Sequence, residues 1–460
     1  MEYSDFLKSK KKSVSQTGLD ISRNDINPIL FDFQKDIVKW SIKQGKNGVF
    51  AMTGLGKTFI ECEYARIITE NDKNNRVLMC APLAVSKQTI REAEKLNIGI
   101  SNLRHNEPLH NINIINYEQL NNIDLSQFNT IILDESSILK NYSGKIRNDI
   151  INEFKNYSYK LPCSATPAPN DFMELGNHSE FLDVMSRVEM LSMFFIHDSG
   201  NTQKWRLKGH ADDLFWKWIA SWSALITKPS DFGYDDKKFD LPPLNIIDHV
   251  VKSDNILEGH LFSKQAETLM ERRSARSQSI KNRVKLAADI VNKSNEIFIV
   301  WCNLNSESEM LKKEIKNSVE IKGSDSLEYK EKNMLDFSDS KIKCLITKPK
   351  IAGHGMNWQN SHNQVFVGLS DSFEEYFQAV RRQYRFGQTK PVNVHIVTSD
   401  LEGNIVKNIQ RKEKQAMDMI QGMIEHTKNY VLENIKENKQ KDFIIKANSK
   451  MKLPEFLLAN

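Results

Sequence analysis

The feature that most restricts the fold is a short glycine-rich loop between an apolar strand and a helix. Residues 48–52 form an apolar, strand-like run, and helix-forming residues follow the loop. Glycines allow the backbone to curl so that its N–H groups point at phosphate oxygens, and the N-terminus of the next helix adds positive potential. The sequence therefore predicts a phosphate-binding loop. It consists of Thr53, Gly54, Leu55, Gly56, Lys57 and Thr58.

The last two side chains of this loop have predicted roles. We expect Lys57 to reach the β- and γ-phosphates of a nucleotide, and the hydroxyl of Thr58 to bind Mg²⁺. The usual pattern places glycine at position 51, where this chain has alanine. A loop with a purely structural role is the alternative, and the strand before it and the helix after it argue against that alternative.

Strand-like and helical segments alternate in two separate parts of the chain. Apolar runs occupy residues 48–52, 76–81, 113–116 and 130–133, and again 297–302, 344–347, 364–368 and 392–397. Amphipathic helical stretches lie between them. This alternation predicts two α/β lobes, each with a mostly parallel sheet and helices on both faces.

The remaining segments differ from the lobes. In residues 176–243 an aromatic stripe with helical spacing, Phe215, Trp218, Ile219 and Trp222, indicates a helix. The stripe is either a platform for stacking bases or the packing face of a helical subdomain. The predicted division is an N-terminal extension (1–25), a first lobe (26–175), a mainly helical insertion and linker (176–243), a second lobe (244–404) and a helical tail (405–460).

Two carboxylates follow the apolar run 130–133. A strand that ends in Asp134 and Glu135 delivers one carboxylate to a metal shell and leaves the other to orient and polarise water. We expect Asp134 to bind Mg²⁺, through water, and Glu135 to act as the catalytic base.

Two arginines near the end of the second lobe are candidates to face the phosphates from the side opposite the glycine-rich loop. If residues 378–388 are helical, Arg382 and Arg385 are three positions apart and share a face. Two guanidinium groups suit the charge that develops on a transferring γ-phosphoryl group. The alternatives are a solvated basic patch and a site for DNA phosphates.

These motifs, in this order, resemble those of superfamily-two helicases, and specifically the compact bacteriophage forms of the Swi/Snf-like branch of double-stranded DNA translocases. The similarity spans about residues 28–400. Further segments match the motifs of this branch: residues 30–34, 81–85, 134–141, 164–167, 321–324, 347–357 and 385–392. The form AxxGxGKT of the phosphate loop is itself typical of helicases.

The resemblance implies roles for further residues. Gln34 would read adenine, and Gly355 would lie at the nucleotide. Five others would contact nucleic acid or couple it to the nucleotide: Pro82, Ser164, Thr166, Gly323 and Thr347. The chain departs from the branch at Ser136 and Ser137, where alanine followed by histidine or aspartate is common. This removes a side chain that helps to link the nucleotide state to the 164–167 motif.

Composition adds little to these motifs. The net charge is only +5, but residues 271–285 contain six basic residues and one acidic residue, which indicate either phosphate contact or a solvated helix face. The five cysteines are scattered, and we expect them to be reduced core residues. No apolar run approaches the ~20 residues of a membrane helix. We expect a location in the cytoplasm of a bacterial or phage-infected host cell.

The function implied by the resemblance is a motor that hydrolyses ATP, with Mg²⁺, in a cleft between two RecA-like lobes and moves along nucleic acid, above all double-stranded DNA. One alternative is a strand-separating helicase that acts on branched DNA or RNA. Another is a clamp, or the motor subunit of a larger DNA-processing complex. The sequence shows no nuclease or methyltransferase signature, so a partner protein would then supply the nuclease or targeting function.

Overall fold

The computed structural model describes residues 16–82, 85–105, 110–140, 144–168, 171–198, 201–252, 279–352, 356–370 and 372–436. The first part of the chain forms these elements: α1 (Asp32–Gln44), β1 (Gly48–Ala51), α2 (Lys57–Asn71), β2 (Val77–Ala81), α3 (Ser86–Glu94), β3 (Ser101–Asn102), β4 (Ile112–Asn116), β5 (Thr130–Leu133), α4 (Lys145–Glu153), β6 (Tyr159–Ser164), α5 (Leu175–Phe181), α6 (Arg187–Phe194), β7 (Phe195–Asp198), β8 (Asn201–Leu207), α7 (Asp212–Trp222) and β9 (Ser223–Ile226).

The second part continues with β10 (Leu244–Val251), α8 (Ile280–Asn292), β11 (Phe298–Cys302), α9 (Asn305–Glu314), β12 (Ser318–Glu320), α10 (Leu327–Ser338), β13 (Cys344–Thr347), α11 (Pro349–Ala352), β14 (Asn363–Val367), α12 (Phe373–Val380), β15 (Val392–Ser399) and α13 (Gly403–Lys436).

These strands form one parallel sheet in each lobe. The first sheet has seven strands in the order β3-β4-β2-β5-β6-β1-β9, and the second has six in the order β10-β15-β14-β11-β13-β12. Every residue of the central strands β1, β2 and β5 is buried, because helices cover both faces of a parallel sheet. The carboxyl ends of the strands of one sheet meet at one edge, where ligands bind in such folds. The predicted pair of α/β lobes is confirmed.

The segment between the predicted lobes is less helical than the sequence suggested. It contains the antiparallel hairpin of β7 and β8, and its strand β9 pairs with β1 at the edge of the first sheet. The aromatic stripe of α7 is buried, since Phe215 and Trp222 are each 0% exposed. The stripe is therefore a packing face, and the stacking-platform interpretation is wrong.

The last described helix, α13, spans both lobes. Ile409 and Ala416 belong to the core of the second lobe, whereas Met423 and Ile424 belong to a core of the first. The ring of His426 stacks on Trp216 with 5.3 Å between centroids. Among the described helices, none has the length and apolar character needed to cross a membrane.

The basic run of the second lobe and the cysteines contribute to the core. Arg283 is fully buried between Glu307 and Glu402, so this member of the run does not face phosphate. Residues 271–278 of the run lie outside the described residues. All five cysteines are buried and have free thiols, as expected.

Candidate nucleotide-binding cleft between the lobes

The glycine-rich loop connects β1 to α2 at the carboxyl edge of the first sheet. Gly54 and Gly56 have φ values of 91° and 77°, in the left-handed region that favours glycine. A Cβ atom at Gly56 would lie 2.3 Å from Nε2 of Gln34, and one at Gly54 would lie 2.8 Å from the backbone N of Phe386. Both glycines are therefore required by the close approach of neighbouring groups.

The first residue of α2, Lys57, provides the positively charged side chain of the loop. The ammonium group of Lys57 donates to the carbonyl oxygen of Ala51 at 3.0 Å, so the side chain folds back over the loop. Thr58 is half-buried and lines the cleft in the first turn of the same helix. A helix N-terminus that carries an additional cation is a site for anions such as phosphate.

Gln34 lies beside this loop as the resemblance implied. It is buried in the first turn of α1, where its Oε1 accepts from the backbone N–H of Phe31 at 2.9 Å. Its Nε2 donates to the carbonyl oxygen of Leu55, also at 2.9 Å. The amide is therefore held in one orientation against the phosphate loop.

The acidic pair follows β5. Burial, followed by the charge of Glu135, raises the pKa of Asp134 to about 7, whereas Lys57 and Arg382 oppose the shift. Glu135 has a φ value of 55°, which is uncommon for a residue other than glycine. Its buried Oε2 has no hydrogen-bond partner in the described part of the chain. A strained residue with an unpartnered oxygen is a common feature of functional sites.

The two arginines do not lie on a helix, which was the condition for a shared face. Helix α12 ends at Val380, and Arg382 and Arg385 lie in the turn that follows. The residues nevertheless converge, because both donate to the carbonyl oxygen of Met356, at 3.3 and 3.4 Å. The two guanidinium groups therefore lie close together because they share one acceptor, and not because they lie on one face of a helix.

The environments of the two arginines differ. Arg382 makes two further bonds to Gln378, at 2.9 and 2.8 Å, and burial lowers its pKa while Glu135 and Asp134 oppose the shift. Burial, followed by the charge of Arg382, lowers the pKa of Arg385 to about 9. The Nε of Arg385 has no partner among the described residues.

A cavity of ≈ 280 Å³ lies in the cleft, and residues of both lobes line it. Lys57, Asp134, Glu135 and Arg382 are not among its lining residues. The first lobe contributes Phe31, Gln34, Gly54, Gly56, Thr58, Phe59, Glu92 and Lys95, the linker contributes Phe239, and the second lobe contributes Asn357, Gln359, Arg385, Phe386 and Gly387. Sequence analysis missed Glu92, Lys95, Gln359 and Phe239, because no local pattern marks a residue that reaches a cleft only through the fold. Asn357 belongs to the matched segment 347–357, but the resemblance gave it no role of its own.

A buried carboxyl group also escaped the sequence analysis. Glu61 lies on α2, is fully buried, and lies near Lys57 and Asp134. Burial raises its pKa, and the charge of Asp134 raises it further. Its position one helical turn after Lys57 was the only signal in the sequence. Within the described ranges, no three His, Cys, Asp or Glu side chains form a group that could hold a metal ion.

The remaining predicted residues lie at other positions in the two lobes. Pro82 follows β2, and Ser164 ends β6 beside β1, where its hydroxyl accepts from the backbone N–H of Thr166 at 3.1 Å. In the second lobe, Thr347 ends β13 and donates to the carbonyl oxygen of Ile321, while Gly323 is exposed. None of these five predicted residues lines the cavity. Gly355 lies outside the described residues.

Ser136 contacts a histidine from another part of the chain. Its hydroxyl lies 3.1 Å from Nε2 of His178, on α5. The imidazole therefore lies beside Ser136, where the resemblance has alanine, and not at Ser137, where it has histidine or aspartate. Burial lowers the pKa of His178 to about 4, so the ring is neutral in the folded protein.

Polar contacts join the lobes beside the cleft. The backbone N–H of Asn357 donates to Oε1 of Gln88 at 2.8 Å, and Lys140 forms an ion pair with Glu374. On α10, Glu331 pairs with Arg104 and, at 2.8 Å, with Lys87. The basic partners lie on the first lobe and the acidic partners on the second.

Two family models match the chain. The model described as "Type III restriction enzyme, res subunit" matches residues 22–169, and the model described as "Helicase conserved C-terminal domain" matches residues 282–387. The first range contains the glycine-rich loop and the acidic pair, and the second contains both arginines.

The relatives include a bacteriophage protein and a yeast helicase. Protein p41 of Acyrthosiphon pisum secondary endosymbiont phage 1 is 24% identical over 456 residues, covering 84% of this chain and 97% of p41. The DNA polymerase alpha-associated DNA helicase A of Saccharomyces cerevisiae is 29% identical over 139 residues, covering 28% of this chain and only 20% of that helicase.

Solved structures are similar over most of the chain. S. cerevisiae Dbp5 bound to RNA and ADP BeF3 matches with a TM-score of 0.54 and 12% identity, covering 85% of this chain and 93% of Dbp5. The Sulfolobus solfataricus SWI2/SNF2 ATPase core in complex with dsDNA has a TM-score of 0.40 and 18% identity, covering 91% and 99% of the two chains. The match to Dbp5 shows that this chain shares the fold of that protein.

Proposed function

Since the chain is a superfamily-two helicase, an ATP-hydrolysing motor that acts on nucleic acid, we propose that its track is duplex DNA and that it belongs to the Swi/Snf-like branch. We propose that it translocates along the duplex rather than separating the strands. One observation supports the motor mechanism above all others: residues of both lobes, among them Gln34, Thr58 and Arg385, line one cleft.

The residues of the cleft fit ATP with Mg²⁺. The backbone of the glycine-rich loop and Lys57 would hold the phosphates, and Gln34 would read the adenine edge. Thr58 and Asp134 would hold Mg²⁺, with phosphate oxygens and water as the other ligands. The raised pKa of Asp134 indicates a buried carboxyl group that a nearby cation would keep ionised.

The first lobe and the second lobe would then perform different parts of the hydrolysis. When bound, Mg²⁺ neutralises phosphate charge and orients the reacting oxygens. The unpartnered Oε2 of Glu135 is free to accept a proton from the attacking water. Arg382 and Arg385 stabilise negative charge on the γ-phosphoryl group once the lobes close, as an arginine finger does. Closure and reopening would move the lobes along the phosphate backbone.

Support for duplex DNA comes from the motifs of the chain. Leu139 and Lys140 belong to a segment that resembles the branch-specific extension of the acidic box, and residues 385–388 resemble its motif VI. Pro82, Gly323 and Thr347 are the proposed backbone contacts, and Ser164 and Thr166 couple them to the nucleotide. We retain the proposed domain division, with β9 assigned to the first lobe. The phage relative p41 supports action inside an infected bacterial cell.

A second candidate follows from one family model. Because residues 22–169 match a restriction-enzyme subunit model, the motor could serve a larger DNA-processing complex in which a partner protein supplies the nuclease or targeting function. Purification of the native protein with its associated chains would test this candidate directly.

The experiment that tests the track is a set of ATPase assays. The rate is measured without nucleic acid, with single-stranded DNA, with duplex DNA and with RNA, at matched nucleotide concentration. We expect duplex DNA to stimulate hydrolysis most. Triplex displacement without fork unwinding would support translocation. Stimulation by RNA alone would overturn the assignment of duplex DNA.

A further inference from the structure

Three phenylalanine rings meet at one end of the cleft, and each comes from a different part of the chain. Phe31 precedes α1 of the first lobe, Phe239 lies on the linker between β9 and β10, and Phe386 belongs to the arginine turn of the second lobe. Phe239 lies 4.7 Å from Phe386 and 5.0 Å from Phe31, and Phe31 lies 5.9 Å from Phe386, measured between ring centroids. The cluster therefore joins both lobes and their linker.

The backbone of Phe386 is held as firmly as its ring. Its carbonyl oxygen accepts from Nε2 of Gln359 at 2.9 Å. Its N–H approaches Gly54 so closely that a Cβ on that glycine would lie 2.8 Å from the nitrogen. The phosphate loop and the arginine turn are thus in direct contact at this residue.

Arg385, the preceding residue, has weaker anchors of its own. Its guanidinium makes a long bond to Met356, at 3.4 Å, and its Nε has no partner in the described structure. Arg382, in contrast, is held by two additional bonds to Gln378. The position of Arg385 must therefore depend on its neighbour in the chain, and the anchors of that neighbour are the aromatic cluster and Gln359.

We propose that Phe386, held by the cluster of Phe31, Phe239 and Phe386, is a positioning residue that places Arg385 at the phosphate end of the cleft. Aromatic rings in edge and tilted contact have a defined mutual geometry, so the cluster specifies one arrangement of loop, linker and turn. Because Phe239 lies on the linker, the position of the linker also affects the position of Arg385. This inference rests on the proposed role of Arg385 in hydrolysis.

The test is a double-mutant cycle on purified full-length protein with saturating duplex DNA. Phe386→Ala should lower kcat by ~10-fold or more, with KM for ATP within a few-fold, because a misplaced transition-state donor affects kcat more than ground-state binding. The double variant with Arg385→Ala should be no slower than Arg385→Ala alone, since groups that act as a unit are not additive. Phe386→Leu should recover much of the loss.

The matched control is Phe59→Ala, which removes a ring that lines the same cavity from α2. Its effect should appear in KM and should combine additively with Arg385→Ala. Phe239→Ala disrupts the same cluster from the linker. Its effect on kcat should also be non-additive with that of Arg385→Ala. Circular dichroism and titration with a non-hydrolysable ATP analogue establish that each variant is folded and binds nucleotide.

The outcomes separate the inference from the proposed function. If Arg385→Ala lowers kcat while the effects of Phe386→Ala and Arg385→Ala multiply, the cluster does not position the arginine and the inference is wrong. If Arg385→Ala leaves kcat unchanged, the proposed role of the arginine is itself wrong. If Phe386→Ala raises only KM, the ring serves nucleotide binding and the inference is again rejected.

Discussion

In the first lobe, Lys57 and Asp134 stand where a helix begins and where a strand ends, on elements that are buried on both faces. In the second lobe, Arg382 and Arg385 stand in a turn, after α12 has ended. Rigid elements position a side chain before any ligand arrives, whereas a turn depends on contacts made elsewhere. The first lobe is therefore built to bind, and the second to complete the site on closure.

The largest expected effect tests whether the base belongs to the first lobe. Glu135→Gln keeps the size of the side chain but cannot accept a proton, so ATP hydrolysis should fall by about 10³-fold, within the range for a lost general base. Nucleotide affinity should remain close to that of the original protein. Lys57→Ala is the contrast, because it should lower both affinity and turnover. A Glu135→Gln variant with near-normal hydrolysis would show that another group is the base.

A smaller loss should follow from the arginine turn. Arg385→Ala should lower kcat by ~10²-fold and change ATP affinity only a few-fold, the pattern of a donor that acts in the transition state. Arg385→Lys should not restore the rate, because a point charge cannot reproduce the planar fork. Nucleotide titration beside steady-state ATPase measures both quantities. If DNA affinity is lost while kcat is retained, Arg385 binds DNA and not the γ-phosphate. The proposed contrast between the two lobes would then be wrong.

The packing of the insertion against the first lobe can be tested through His178, which contacts Ser136. Burial lowers its pKa to about 4, whereas an unfolded histidine titrates near ~6.5. Between these values the unfolded chain binds the additional proton, so stability falls as the pH drops from about 6.5 toward 4. At pH 5 the free energy of unfolding should be about 2 kcal/mol lower than at pH 7 because of this group.

The measurement is chemical denaturation at both pH values. His178→Gln should reduce the difference between them, because the side chain no longer titrates. His210→Gln, at an exposed position of the same insertion (176–243), is the control and should leave the difference almost unchanged. If the His178→Gln variant loses as much stability between pH 7 and pH 5 as the original protein does, other groups account for the acid sensitivity.

The smallest expected effect concerns the contact between the lobes. Glu331→Gln removes the charge that pairs with Arg104 and Lys87, so the closed arrangement should be less favoured. We expect kcat/KM for ATP to fall about 3- to 10-fold, because glutamine can still accept hydrogen bonds from both cations although Glu331 and Arg104 are buried. Glu328→Gln removes a longer ion pair with the same Arg104, at 3.8 Å, from an exposed carboxylate, and should have less effect. A faster Glu331→Gln enzyme would mean that these pairs oppose closure.

Much of the first lobe could be predicted because its signals are local. The glycine-rich loop lies between β1 and α2, and Asp134 follows a buried strand, so each is marked by its immediate neighbours in the sequence. The prediction for the arginines was less successful, because it depended on a helix across residues 378–388, whereas α12 ends at Val380. Their convergence depends on the carbonyl of Met356, which no spacing rule identifies.

The sequence by itself determined the two α/β lobes, the phosphate loop and the order of the motifs, because strand periodicity and turn chemistry act over a few residues. Only the tertiary structure decided which side chains share the cleft. It brought Phe31, Phe239 and Phe386 together, placed His178 beside Ser136, and buried Glu61 near Asp134. The physical reason is that such contacts join residues far apart in the chain, and they exist only after both sheets and the linker have packed.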